Sequence, residues 1–251
     1  MCDAKYNVIH DAILSHCSTL SLETTLRLSR HDPNGFSDHQ FQLGSNISPL
    51  ILACAYSSVD IVRVLLDHGA DLNLANNLEE TPLLHAACSG KLEIVRFLVA
   101  NRAEVDKTDV YGRSPLYFAA QKGYKKIVKI LLDAGANPNM QDQRCRTILS
   151  RAVCWGNYDI VQLLLNRGVK ILLNAGANPN MQDHTGRTVL SRAVCWGNYD
   201  IVELLLNRGV KILAVDILEG VLFQQTKIVE LLESKMSSSR DHACKNSNVM
   251  E

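Results

Sequence analysis

The sequence is poor in the signatures of catalysis. It has no Gly-x-x-x-x-Gly-Lys-[Ser/Thr] phosphate loop, no Gly-x-Gly-x-x-Gly, no Gly-x-Ser-x-Gly and no His-Glu-x-x-His. Its His-Asp pairs, His10-Asp11, His31-Asp32, Asp38-His39 and Asp183-His184, are sequence neighbours, and neighbouring residues on a helix do not face one another. No catalytic residue, cofactor or metal site is expected, and the chain is read as a non-enzyme. It has no excess charge of either sign: 26 Lys and Arg balance 26 Asp and Glu, so any basic patch must be local and no nucleic-acid partner is expected. No apolar run approaches the roughly 18 residues needed to span a bilayer. The start, Met1-Cys2-Asp3-Ala4-Lys5-Tyr6, lacks the basic-then-apolar profile of a signal peptide. The expectation is a chain inside the cell, cytoplasmic with the nucleus also open, monomeric and not inserted in a membrane. The eight cysteines are scattered without Cys-x-x-Cys spacing, so Cys54, Cys88, Cys154 and Cys195 read as small buried hydrophobes. Asn46-Ile47-Ser48 matches a glycosylation sequon, which in an intracellular chain is read as chance.

What the sequence does have is a period. Ser48, Thr81, Ser114 and Thr147 stand 33 residues apart and open similar stretches. The clearest copies run Thr81-Pro82-Leu83-Leu84-His85-Ala86-Ala87 and Ser114-Pro115-Leu116-Tyr117-Phe118-Ala119-Ala120. Ser or Thr is suited to a helix N-cap, and proline to the first helical position, where its missing N–H is not needed. The paired alanines allow close helix approach. Beyond Gly90 or Gly123, an apolar stripe at helical spacing follows, Ile94, Val95 and Leu98, with its equivalents Ile127, Val128 and Leu131. One such unit cannot bury its stripe alone, so the units must stack. His85 reads as a core or hydrogen-bonding residue near its helix start.

These motifs, with turns such as Gly135-Ala136-Asn137-Pro138-Asn139, resemble the ankyrin repeat. The resemblance implies an all-α repeat solenoid: an ankyrin-type stack of helix-turn-helix repeats with short hairpin fingers. Residues 1–42 read as a degenerate N-terminal repeat or cap, and 43–214 as five repeats. Residues 215–235 read as a truncated C-terminal capping repeat, and 236–251 as a disordered tail. Residues 131–171 recur as 172–212 with six differences, so the spacing from Thr147 to Thr188 is 41. The join inserts eight residues near 167–175. They form either an extension of the outer helix with Gly168 inside it or a bulging connection, the extension being preferred because Val169, Leu172 and Leu173 keep an apolar spacing.

The resemblance further implies a non-enzymatic protein-binding adaptor or scaffold whose partner lies on a concave face made by finger tips and inner helices. Carried over position by position, that face comprises Tyr56, Leu78, Tyr111, Arg113, Lys122, Arg144, Arg146, Trp155, His184, Arg187 and Trp196. Trp, Tyr and Arg are the types most enriched in interface hot spots, and the cations favour an acidic partner. Two features depart from the pattern. Ile148 and Val189 replace the proline, which should weaken those helix starts. Arg151 and Arg192 replace an apolar residue and must reach the surface or pair with an acid. Two rival readings stay open: a substrate-recognition subunit of a ubiquitin-ligase-type complex, for which no C-terminal box is visible after Gly209, and a fragment of a larger multidomain protein.

Overall fold

The computed structural model of the chain describes Ile13 and residues 46–170 and 178–247. The expectations for the rest of 1–45, for 171–177 and for the last four residues lie outside the described residues. Ile13 is helical and fully buried.

Twelve helices lie among the described residues, in six pairs. They are α1 (Pro49–Tyr56), α2 (Val59–Asp67), α3 (Pro82–Cys88), α4 (Leu92–Ala100), α5 (Pro115–Lys122), α6 (Lys125–Asp133), α7 (Ile148–Cys154), α8 (Tyr158–Lys170), α9 (Val189–Cys195), α10 (Tyr199–Asn207), α11 (Ala214–Leu222) and α12 (Thr226–Ser247). The chain divides into two compact units, residues 1–137 and 138–251. In the first, inner helices α1, α3 and α5 pack in series, and outer helices α2, α4 and α6 form a second row. In the second, α7, α9 and α11 form the inner row, and α8, α10 and α12 the outer.

The helix starts obey local chemistry. Ser48, Thr81, Ser114, Thr147 and Thr188 are extended N-caps whose side-chain oxygens accept from the N–H three residues on. At the start of α9, where Val189 stands in place of proline, a second local device is present. Ser191 Oγ accepts from the Thr188 N–H at 2.9 Å while Thr188 Oγ1 accepts from the Ser191 N–H at 3.2 Å, a reciprocal capping box. Each outer helix buries one stripe, as in Ile94, Val95 and Leu98 of α4 or Ile201, Val202 and Leu205 of α10.

Where the second copy of the duplicated segment begins, α8 runs 13 residues against nine for α10, and Gly168 lies inside it. At the other end α12 continues through Ser247, so residues 236–247 are helical where the composition suggests disorder. Within it, Ser234 and Ser237 turn their hydroxyls onto the Leu231 and Glu233 carbonyls of the preceding turn, at 2.8 and 2.9 Å.

The last pair docks on α9 through buried polar groups. Gly220 leaves room for it: a Cβ there would lie 2.7 Å from Val229 and 3.3 Å from Val194. Asp216 is fully buried in the first turn of α11, its Oδ2 accepting from the Leu213 N–H at 2.6 Å. Burial pushes its carboxyl up to about 6; the Glu219 charge adds to this, against the Leu213 and Thr188 hydrogen bonds. A carboxyl raised above its unfolded value of 3.8 holds its proton longer in the fold. Its stability contribution therefore declines as pH rises between about 4 and 6 and stays low above that. Asp216→Asn keeps the acceptor and removes the charge. It is expected to stabilise the chain by about 1–2 kcal/mol at pH 7.5 and by almost nothing at pH 4, read from thermal melts at the two pH values.

Candidate functional site

The loop before an inner helix is organised by one side chain. In four copies, Asn76, Asp109, Asp142 and Asp183 present Oδ1 to the N–H groups two and four residues ahead, at 2.8–3.1 Å. The main chain closes the same turn, the N–H three residues on donating back to each carbonyl at 2.8–3.0 Å. That residue must adopt a left-handed backbone: Glu79, Gly112, Cys145 and Gly186 have φ of 60°, 76°, 55° and 74°. The Cys145-to-Gly186 difference between the duplicated segments thus falls where glycine is most comfortable.

The second carboxylate oxygen takes a cation. Arg113 places Nε and Nη2 each 2.6 Å from Asp109 Oδ2, and Arg146 repeats this on Asp142 at 2.7 and 2.6 Å. The Arg113 guanidinium also lies 4.7 Å from the Tyr111 ring centre and 4.8 Å from that of Phe118. In the Asn76 copy the acid stands at the fourth position instead, facing a neutral amide: Asn76 Nδ2 donates to Glu80 Oε2 at 2.8 Å, and Nε2 of buried His85 stands 3.2 Å from the same oxygen, without the alignment of a hydrogen bond. In the Asp183 copy Arg187 donates instead to Glu219 of α11 at 2.6 Å, and Arg192 pairs with Asp183. Arg192 thereby meets the requirement that it reach an acid.

Burial alone would raise the Asp142 carboxyl, but the Arg146 guanidinium and the Arg146 and Arg144 N–H groups outweigh it and hold it below the ordinary value. Burial likewise opposes ionisation of Asp183, yet Thr185, Arg192 and the Arg187 N–H bring it down to about 2. Glu80 is lowered too, its burial outweighed by His85 and Asn76. These carboxylates are built to stay charged.

The residues expected to meet a partner therefore divide. Arg113, Arg146 and Arg187 are tied to acids and hold loops and neighbouring helices together. Leu78 is half-buried, its carbonyl accepting from the Val110 N–H of the next loop at 3.0 Å. His184 is exposed, with Nδ1 at 2.8 Å from the Arg144 carbonyl. Tyr56, Tyr111, Lys122 and Arg144 present exposed side chains. Trp155 and Trp196 cap α7 and α9 and are 60% and 63% exposed.

One residue escaped the sequence reading. Phe223 caps α11 as the tryptophans cap α7 and α9, and it too is exposed. The sequence signal was the order Phe223-Gln224-Gln225 against Trp196-Gly197-Asn198, obscured because Gln224 takes the left-handed position, φ 56°, held elsewhere by glycine. The steps along the row are alike. The Asn198 side chain donates to the Val153 carbonyl at 3.0 Å and stands 3.7 Å from the Cβ position of Gly156, while Gln225 covers Gly197.

Cys54, Cys88, Cys154 and Cys195 lie on or at the end of inner helices as free thiols, and burial pushes the Cys54 thiol far up. Among the described residues no group of His, Cys, Asp and Glu is placed to hold a metal, and no helix is long and apolar enough to cross a membrane.

A comparison with curated proteins finds no match. The family model for ankyrin repeats matches in three copies, over residues 9–109, 102–171 and 166–216. With these matches spanning most of its length, and with paired helices, Ser/Thr caps and turn-forming loops in each unit, the chain belongs to the ankyrin repeat family, whose repeats are protein–protein interaction modules.

Proposed function

We propose that the chain is an adaptor or scaffold without chemistry of its own, acting as a monomer in the cytoplasm or nucleus. It holds a protein partner on the loop tips and inner-helix ends. The observation that carries this reading is the placement of the only two tryptophans of the chain at equivalent, open positions of α7 and α9. A large amphipathic ring left mostly in water contributes little to the fold and much to an interface. Arg144 and Lys122 remain the exposed cations of the proposed set, and an acidic partner suits them.

The test is Trp155→Ala with Trp196→Ala. Because both rings are mostly exposed, stability should change by less than about 1 kcal/mol. Affinity capture followed by mass spectrometry should lose a defined set of proteins held by the unmodified chain. Retention of the same set by a folded variant overturns the surface assignment.

A further inference from the structure

We infer that Trp155, Trp196 and Phe223 form a ladder that receives an extended acidic segment of another protein in the polyproline II conformation, with an apolar residue at every third position. The inference rests on the protein-binding reading above and deepens it.

The first argument is spacing. The three rings cap consecutive inner helices of one unit, α7 packing on α9 and α9 on α11. Packed helices lie about 8–10 Å apart, so successive rungs repeat at about that distance. A polyproline II chain advances about 3.1 Å per residue with three residues per turn, so residues i, i+3 and i+6 lie on one face about 9 Å apart. A β-strand covers a similar distance in three residues but turns the third to the opposite face. An α-helix returns to the same face about 10.5 Å on, after seven residues, yet its carbonyls are already bonded. The polyproline II chain leaves its carbonyls open to the indole N–H donors of this row.

The second argument is charge. The acids on the loops and inner helices of this unit are Asp142, Asp183, Asp216 and Glu219, and all four are buried. The charged groups that reach solvent on the same segments are cations, among them Arg144, which is exposed, and Arg146 and Arg187, which are exposed in part and already paired with Asp142 and Glu219. The exposed acids, such as Asp159, Asp200 and Glu203, sit on the outer helices. Acids between the apolar positions of a partner would meet these cations, and their mutual repulsion would help keep the partner extended.

Because both tryptophans of the chain stand in the ladder, their emission reports contact with a tryptophan-free peptide. The peptide (Leu-Glu-Pro)4 is expected to shift that emission saturably and to bind less well as NaCl rises from about 0.05 to 0.5 M. Phe223→Ala should weaken binding roughly three- to tenfold. Trp155→Ala with Trp196→Ala should weaken it more than tenfold, read with a fluorescein-labelled peptide. Three results overturn the inference: no binding by (Leu-Glu-Pro)4 at about 1 mM, equal binding by (Leu-Lys-Pro)4, or tighter binding by an acidic helical peptide with leucine every seventh residue or by oligo(U). If the peptide fails while the tryptophan substitutions still abolish protein capture, the extended-segment inference falls and the protein-binding reading stands. If the substitutions affect neither, both fall.

Discussion

Asp142→Ala is expected to destabilise the chain by about 2–4 kcal/mol, although the residue lies in a loop. One carboxylate there satisfies the Arg144 and Arg146 N–H groups and neutralises the Arg146 guanidinium. Alanine removes the acceptor of two backbone donors and the Asp142 counter-charge of a half-buried cation, and each buried donor left unmade costs about 1–3 kcal/mol. The total stays below the simple sum because Arg146 retains access to water. Asp142→Asn keeps the acceptor and loses the charge, for about half the effect. The Asn76–Glu80 copy suggests a rescue: Asp142→Asn with Arg146→Glu recreates that arrangement and should recover part of the loss. The pH dependence has a definite sign. The folded Asp142 value lies below the unfolded 3.8, so its contribution is present in full above about pH 4 and is lost as pH falls through the folded value. Urea midpoints at pH 7 and pH 3 should show the variant's deficit shrinking in acid. An equal deficit at both, or a loss below 1 kcal/mol at pH 7, removes the clasp from the account of the fold.

This clasp marks the boundary of what was legible in the sequence. The helix starts were legible because a cap is a local device: Ser48, Thr81, Ser114 and Thr147 need only the N–H three residues on. The stacked stripes were legible because period 3.6 survives in each copy. Arg113 and Arg146 came in as contact residues from positions the resemblance implies, and the acid four residues earlier in each copy also marked a structural partner for them. Glu219 as the partner of Arg187 is a different matter. It lies 32 residues on, in a shortened pair whose register depends on which residue caps α11, and no local pattern supplies that. Phe223 was missed for the same reason. The continuation of α12 past residue 236 ran against composition, since Ser237 and its polar neighbours give the helix no apolar stripe to bury.

Gly90→Ala should cost about 2–4 kcal/mol, while the chemically identical Gly69→Ala costs about 1. Both glycines are left-handed, with φ of +72° and +89°, and an L-residue there loses about 1–2 kcal/mol. They differ in what lies above them. A Cβ on Gly69 meets nothing within 4 Å, whereas on Gly90 it would lie 2.7 Å from the Tyr124 ring of the following helix pair. An aromatic ring packed against a helix end can retreat only by opening that contact, at a further cost of about 1–3 kcal/mol. Gly197 belongs between the two: its covering atom, Gln225 Oε1 at 2.8 Å, ends a flexible side chain that can swing away. The expected order of destabilisation in urea is therefore Gly90, then Gly197, then Gly69. Combining Gly90→Ala with Tyr124→Ala should cost less than the sum of the two, because the second change removes the clash made by the first. Strict additivity, or equal losses at Gly69 and Gly90, would show that the left-handed backbone alone matters. The observed order would instead show that each pair is seated on its predecessor through the glycine at the end of the inner helix.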